Sequence, residues 1–192
     1  MNLFHRNNKS PIASPEHFRE LYEQDRLPVY RYIYGLTGGP REDVEDLTAE
    51  TFLRAWKART RFDGDLPSAL SWLFQIAKRL VIDDYRRRAM QSSHDLQTNL
   101  LADLKPEQSY QTEEELQILF DLLTEIPNGQ REILVLRYFL GWRVGDIAQY
   151  TGMTENNVSV IIHRVLTRLR EKWEAIELAE IQNIFLSEEK NS

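Results

Sequence analysis

The stretch VGDIAQYTGMTENNVSVIIHRVLTRL, residues 144–169, decides how the second half of the chain is read. It has the layout of a helix-turn-helix. Two helices cross steeply over a short turn, so the first needs a small residue at the crossing and the turn needs one that tolerates left-handed dihedrals. Ala148 and Gly152 stand at those positions. Ile147, Val158 and Ile161 supply the shared apolar contact, Thr154 is placed to cap the open amides of the second helix, and Glu155 suits its positive end. The outward set is then Asn156, Asn157, Ser159, Val160, His163, Arg164 and Arg168. In a major groove, amides match adenine and arginine matches guanine, while later basic residues suit phosphates. Such a small-residue spacing also arises by chance, and a lone histidine on a helix is most often a solvated group. The basic run continuing through Arg170 and Lys172 favours the DNA reading.

Upstream, Leu116, Leu119, Phe120 and Leu123 form an apolar stripe that Pro127-Asn128-Gly129 terminates. A second helix, ended by Gly141, carries Ile133, Leu134, Leu136 and Tyr138. Strand-like alternation persists nowhere, whereas helical spacing recurs. Val44, Leu47, Thr51, Phe52 and Ala55 make one stripe behind Gly39-Pro40, and Leu73, Ile76, Ala77 and Leu80 make another in a helix starting near Ser68. Residues 16–37 are helical in pattern, with Pro28 expected to kink or split that helix. Ser92, Ser93, Asn99, Pro106 and Ser109 mark a flexible linker. The expected architecture is all-α: an extension over residues 1–13, a helical bundle over 14–91, the linker over 92–111, a second helical domain over 112–173 and an acidic tail over 174–192. Ile176, Ala179, Ile181, Ile184 and Phe185 in the tail are expected to pack back on the second domain, a regulatory contact being the alternative.

Charge sharpens this division. The chain has 192 residues, with 24 Lys and Arg against 30 Asp and Glu, so its net charge of −6 argues at first against a nucleic-acid partner. The acids are segregated, however, in the linker and tail, whereas Lys78, Arg79, Arg86, Arg87 and Arg88 crowd one segment and Arg164, Arg168, Arg170 and Lys172 another. Beside the first cluster stand Trp72, Phe74 and Tyr85, and aromatics interleaved with cations are what a single-stranded nucleic-acid surface uses. The plainer reading is a solvated helix end with Trp72 and Phe74 in the core. Zero cysteines remove disulfides and thiolate chemistry. His5, His17, His94 and His163 never stand at an i, i+4 metal spacing, and no GxxxxGK phosphate loop occurs. Asp83-Asp84 beside Arg86 reads as a salt-bridge set rather than a catalytic pair. No catalytic residue, metal or cofactor is therefore expected. No apolar run approaches membrane-spanning or signal-peptide length, so a soluble, cytoplasmic protein without membrane insertion is expected.

Three phrases resemble a known family. DVEDLTAETFLRAW (43–56), SWLFQIAKRLVIDDYRRR (71–88) and IPNGQREILVLRYFLGWRVGDIAQYTGMT (126–154), the last running into HRVLTRLRE (163–171), resemble the sigma-70 family in its compact extracytoplasmic-function group, in the family's order. The resemblance implies a non-enzymatic bacterial promoter-recognition subunit, with the first domain as sigma region 2 and the second as sigma region 4. Region 2 would dock on the clamp helices of the largest subunit of core RNA polymerase through Asp46, Glu50, Leu53 and Arg54. It would also take the -10 element as single strand. There a flipped base would lodge by the loop at residues 62–71, among them Phe62, Asp63 and Gly64, near Trp72, with Lys78, Arg79, Arg86, Arg87 and Arg88 on phosphates. Region 4 would read the -35 duplex near the polymerase flap region, chiefly through Ser159, Val160, His163 and Arg164. Relatives usually carry basic residues where this chain has Ser159 and Ile161, so fewer phosphate or guanine contacts are expected. The loop at residues 64–72 is longer than usual and lacks its common arginine. Many relatives are held by an anti-sigma factor, and nothing in the sequence identifies one. A helix-turn-helix regulator acting without polymerase is the alternative, and it leaves residues 43–56 unexplained.

Overall fold

The computed structural model describes residues 10–91 and 121–190, and the chain divides into two compact units, Met1–Glu107 and Gln108–Ser192. The described residues of both units are helical, without a strand. The linker region and the stripe residues Leu116, Leu119 and Phe120 lie outside the described residues.

In the first unit, helix α1 (Pro15–Thr37) starts where Ser14 accepts a 3.2 Å hydrogen bond from the His17 amide and Pro15 needs none. It ends at Gly38, whose φ of 58° lets its N–H donate to the Tyr34 carbonyl at 2.7 Å. Pro28 lies inside an unbroken helix and does not split it. Its ring removes the bond to the Gln24 carbonyl, but Gln24 is exposed, so water can satisfy that group. Helix α2 (Arg41–Ala58) follows, then a 3-10 turn (Arg59–Arg61) and helix α3 (Leu66–Gln91). Asp65 caps α3, accepting from the Ser68 amide at 3.0 Å.

Helices α1, α2 and α3 pack on one another pairwise. Val44, Thr51, Phe52 and Ala55 of α2 are buried, and Thr51 enters the core because its hydroxyl donates to the Leu47 carbonyl at 2.7 Å. Leu47, expected in this stripe, is only half-buried and faces the groove between α2 and α3. Phe74 is fully buried and stacks on Tyr32 with ring centroids 4.3 Å apart, so it belongs to the core. Ile12 is also fully buried, and Arg59 stacks on Trp56 while donating to the Ala13 carbonyl. Residues 10–13 thus join the packed unit.

In the second unit, residues 121–124 are helical, with Leu122, Leu123 and Ile126 buried. Helix α4 (Asn128–Leu134) widens into a π-helical turn (Val135–Phe139), closed by the Leu140 amide on the Val135 carbonyl at 3.1 Å. The wider turn shifts the phase of the stripe. Ile133, Leu134 and Leu136 are buried as expected, but Tyr138 is 56% exposed. Helix α5 (Val144–Thr151) and helix α6 (Glu155–Lys190) form the helix-turn-helix over a core of Ile133, Leu136, Ile147 and Val158. Gly152, at φ 71°, donates to the Ala148 carbonyl, as does the Met153 amide at 3.0 Å. Thr154 accepts from the Asn157 amide at 3.3 Å, the expected cap. Helix α6 continues without a break past Trp173 to Lys190, and Leu178 on it is exposed. The side chains of Ile181, Ile184 and Phe185 lie outside the described residues.

One buried group works against the fold. Asp25 occupies the core stripe of α1 a turn away from Leu21 and Val29, and burial pushes its carboxyl from 3.8 up to about 6. The folded chain keeps a proton that the unfolded chain gives up above pH 3.8, so stability falls as pH rises from there to about 6 and stays reduced above it. The penalty is on the order of 3 kcal/mol at neutral pH. Asp25→Asn is expected to stabilise the unit by about 1–3 kcal/mol at pH 7 and by almost nothing below pH 4. Chemical denaturation across that range checks this, and an Asn variant without any gain at pH 7 would refute it.

Candidate nucleic-acid and protein interfaces

Three surfaces collect the residues singled out in the sequence. On α2, burial of Val44, Thr51, Phe52 and Ala55 turns Asp46, Leu53 and Arg54 outward, with Glu50 partly exposed between them. Arg54 and Glu50 pair at 2.7 Å, one turn apart. This ridge thus presents acids and one apolar side chain, Leu53, 45% exposed. Its chemistry suits a partner with basic and apolar side chains.

On α3, Trp72, Arg79 and Arg86 are separated by whole heptads and so share a face, spread over about 21 Å of helix. Trp72 is half-buried, whereas Arg79 and Arg86 are exposed. At the amino-terminal end of this line Phe62 is buried under Trp72, with ring centroids 4.9 Å apart. Gly64 passes close to the same ring, where a β-carbon would stand 2.6 Å from Phe62 Cζ and 2.2 Å from Ser68 Oγ. Asp63 beside it is exposed and Lys78 half-exposed. The loop therefore offers an aromatic wall with an acidic rim, continued by a line of cations. Arg87 and Arg88 lie apart from that line. Arg88 Nε reaches Asp84 Oδ2 at 2.7 Å and its Nη2 reaches Asp43 Oδ2 at 2.8 Å, while Arg87 pairs with the other oxygen of Asp84. In sequence, only the i, i+4 spacing of Asp84 and Arg88 hinted at this; nothing local pointed to Asp43.

On α6, Val158 and Val165 are buried, so the opposite face carries Asn156, Val160, His163 and Arg164. All but the half-buried Val160 are exposed. Asn157 and Arg168 flank this face on one side and Ser159 on the other, and all three are exposed. Ile161 is half-buried rather than fully enclosed. Two buried charged residues of α4 are engaged in hydrogen bonds. Arg131 is buried and donates to the Thr124 and Ile126 carbonyls at 2.5 and 3.2 Å, and the Tyr150 hydroxyl donates to buried Glu132 at 3.1 Å. Neither buried charge was foreseen from the sequence.

Residues 21–90 match the family model for Sigma-70 region 2, and residues 116–169 match that for Sigma-70, region 4. The chain is 31% identical over 165 residues to the ECF RNA polymerase sigma factor BldN of Streptomyces coelicolor, covering 84% of this chain and 62% of that protein. It is 29% identical over 162 residues to the ECF RNA polymerase sigma factor SigL of Mycobacterium tuberculosis, covering 79% and 86%. Among solved structures, the sigma factor RpoE in complex with the anti-sigma factor NepR from Bartonella quintana aligns with a TM-score of 0.64 at 21% identity, over 83% of this chain and 98% of that one. CnrH in complex with the cytosolic domain of CnrY aligns at 0.60 and 24% identity, over 84% and 90%. At those identities the likeness is one of fold. Two models of one family, in order and one in each unit, together with relatives of a single kind, settle the assignment: the chain belongs to the sigma-70 family of RNA polymerase sigma factors, in its extracytoplasmic-function group.

Proposed function

We propose that the three surfaces divide the work of promoter recognition, a non-catalytic role in which binding energy does what chemistry does elsewhere. Among the described residues no helix is long and apolar enough to cross a membrane, and the proposed site of action is the cytoplasm, with the polymerase. The observation that carries the reading is the pairing, on one three-helix bundle, of an acidic ridge on α2 with the line of Trp72, Arg79 and Arg86 on α3. A regulator binding duplex DNA alone would need only the second unit.

In this reading, Asp46, Glu50, Leu53 and Arg54 dock on the clamp helices of the largest polymerase subunit. The loop carrying Phe62, Asp63 and Gly64 receives a base extruded from the non-template strand of the -10 element beside Trp72. Unstacking a base costs a few kcal/mol, so capture against the protein makes melting thermally accessible. Arg79 and Arg86 supply the positive charge for that strand, with Lys78 nearby, whereas Arg87 and Arg88 are engaged by Asp84 and Asp43. In the second unit, α6 lies in the major groove of the -35 element near the flap region, with Asn156, Asn157, Ser159, Val160, His163 and Arg164 toward bases and Arg168 toward phosphate. The domain limits proposed are those expected from sequence, with the packed part of region 2 starting near residue 10. One solved neighbour is a sigma factor in complex with an anti-sigma factor, and another, CnrH, is in complex with the cytosolic domain of CnrY; a partner of the anti-sigma class is part of the proposal.

Mixing the purified chain with bacterial core RNA polymerase tests the whole scheme, by complex formation and by promoter-specific transcripts. Asp46→Arg is expected to weaken core binding by about tenfold or more without altering duplex binding by the second unit. Arg164→Ala is expected to cost about 1–3 kcal/mol at one -35 position while leaving core binding intact. A wild-type chain that ignores core polymerase would sink the reading. For the capture loop, Gly64→Ala forces Phe62 against Trp72 and is expected to destabilise region 2 by about 1–3 kcal/mol. It should also shift tryptophan emission, read in a variant that keeps Trp72 as its sole tryptophan; an unchanged spectrum and midpoint would contradict the packing argument.

A further inference from the structure

Arg86, Arg87 and Arg88 are consecutive, yet a helix sends them in three directions. Arg86 continues the exposed line of Trp72 and Arg79. Arg87 and Arg88 are turned from it by about 100° and 200°, toward the side where α3 buries Leu80, Val81 and Asp84. There the fork of Arg88 spans two helices, with Nε on Asp84 of its own helix and Nη2 on Asp43 of α2. Asp84 is nearly buried, at 9% side-chain exposure, while Arg88 remains exposed at 47%, so the pair is anchored on a buried carboxylate rather than solvated at both ends. The two-pronged geometry also needs a planar guanidinium, since an ammonium is a point charge without a fork. Asp43 lies in the first turn of α2, one turn ahead of Asp46 and two ahead of Glu50, on the same side as the ridge.

We infer that Arg88 is a positioning residue rather than a phosphate contact: through Asp43 and Asp84 it sets the protein-docking ridge of α2 in register with the DNA-facing line of α3. Arg79 and Arg86 are then the cations of that line that meet the strand, and Arg87 serves to saturate Asp84. The inference rests on the proposed reading of that ridge as the polymerase surface. It explains why three arginines in a row do not act as one cluster.

The test has two arms, both with the full chain. In the first, binding of the free chain to a labelled poly(dT) oligonucleotide is followed against salt. Each lost phosphate contact on a single strand flattens the logarithmic slope by about 0.7, so Arg86→Ala should flatten it by that amount and Arg88→Ala should not. In the second, affinity for core RNA polymerase is measured well below the unfolding midpoint of each variant. Arg88→Ala, Asp43→Asn and Arg88→Lys should each weaken it by about tenfold, the last because charge without the fork is insufficient. An Arg88→Ala slope that falls as far as that of Arg86→Ala overturns the inference. So does an Arg88→Lys variant with wild-type core affinity, or a set of variants that lower only the melting temperature. If the wild-type chain does not bind core at all, the proposed function fails, and the salt arm alone decides whether Arg88 meets phosphate.

Discussion

Helix α2 has one narrow stripe with which to satisfy two neighbours, and the amino-terminal unit is organised by that constraint. Val44, Thr51, Phe52 and Ala55 are the whole of its buried face, and both α1 and α3 pack on it. At one end Phe52 meets Phe18 and Tyr22 edge-on, and Trp56 closes the contact with Phe18. Such a small stripe holds because its members are compact and its one hydroxyl is satisfied within the helix. Much of the remaining circumference is exposed, and there Arg41 with Glu45 and Arg54 with Glu50 make ion pairs one turn apart. A helix so economical in its burial can hold the bundle together and still offer a partner a broad ridge.

The carboxy-terminal unit meets a similar shortage in another way. Its helices α4 and α5 are only two turns long and present few apolar side chains, so buried polar groups help fix their placement. Arg131 gathers carbonyls from the chain ahead of α4, and Glu132 receives the hydroxyl of Tyr150 on α5. These hydrogen bonds engage both buried charges and join α4 to the segment ahead of it and to α5. Lys172 pairs with Glu125, tying α6 to the same entry segment.

The local stereochemistry of the helix-turn-helix was legible in the sequence. Ala148, Gly152 and Thr154 each perform the one task their side chains, or the lack of one, fit them for. Properties set by phase or by a second helix were harder to read. Tyr138 leaves the core because the π turn inserts a residue into the repeat, and periodicity counts assume there is none. The Arg86–88 cluster looked uniform because a charge count ignores rotation; heptad counting from Trp72 separates Arg86 from its neighbours. The partner of Arg88 on α2 carried no local signal whatever, since it lies 45 positions away in the chain. Pro28 was overread, because the cost of proline in a helix depends on whether water reaches the carbonyl it strands.

Asp25 has a consequence for the lifetime of the molecule. A carboxylate that must be desolvated to keep the bundle closed raises the fraction of chains that are open at any moment, and a penalty of about 3 kcal/mol corresponds to roughly a hundredfold change in that fraction. Open chains are what proteases cut, while any partner that binds only the closed form draws the balance back in proportion to its concentration over its dissociation constant. A partner that binds the closed bundle would thus oppose, at neutral pH, the opening that the buried carboxylate favours.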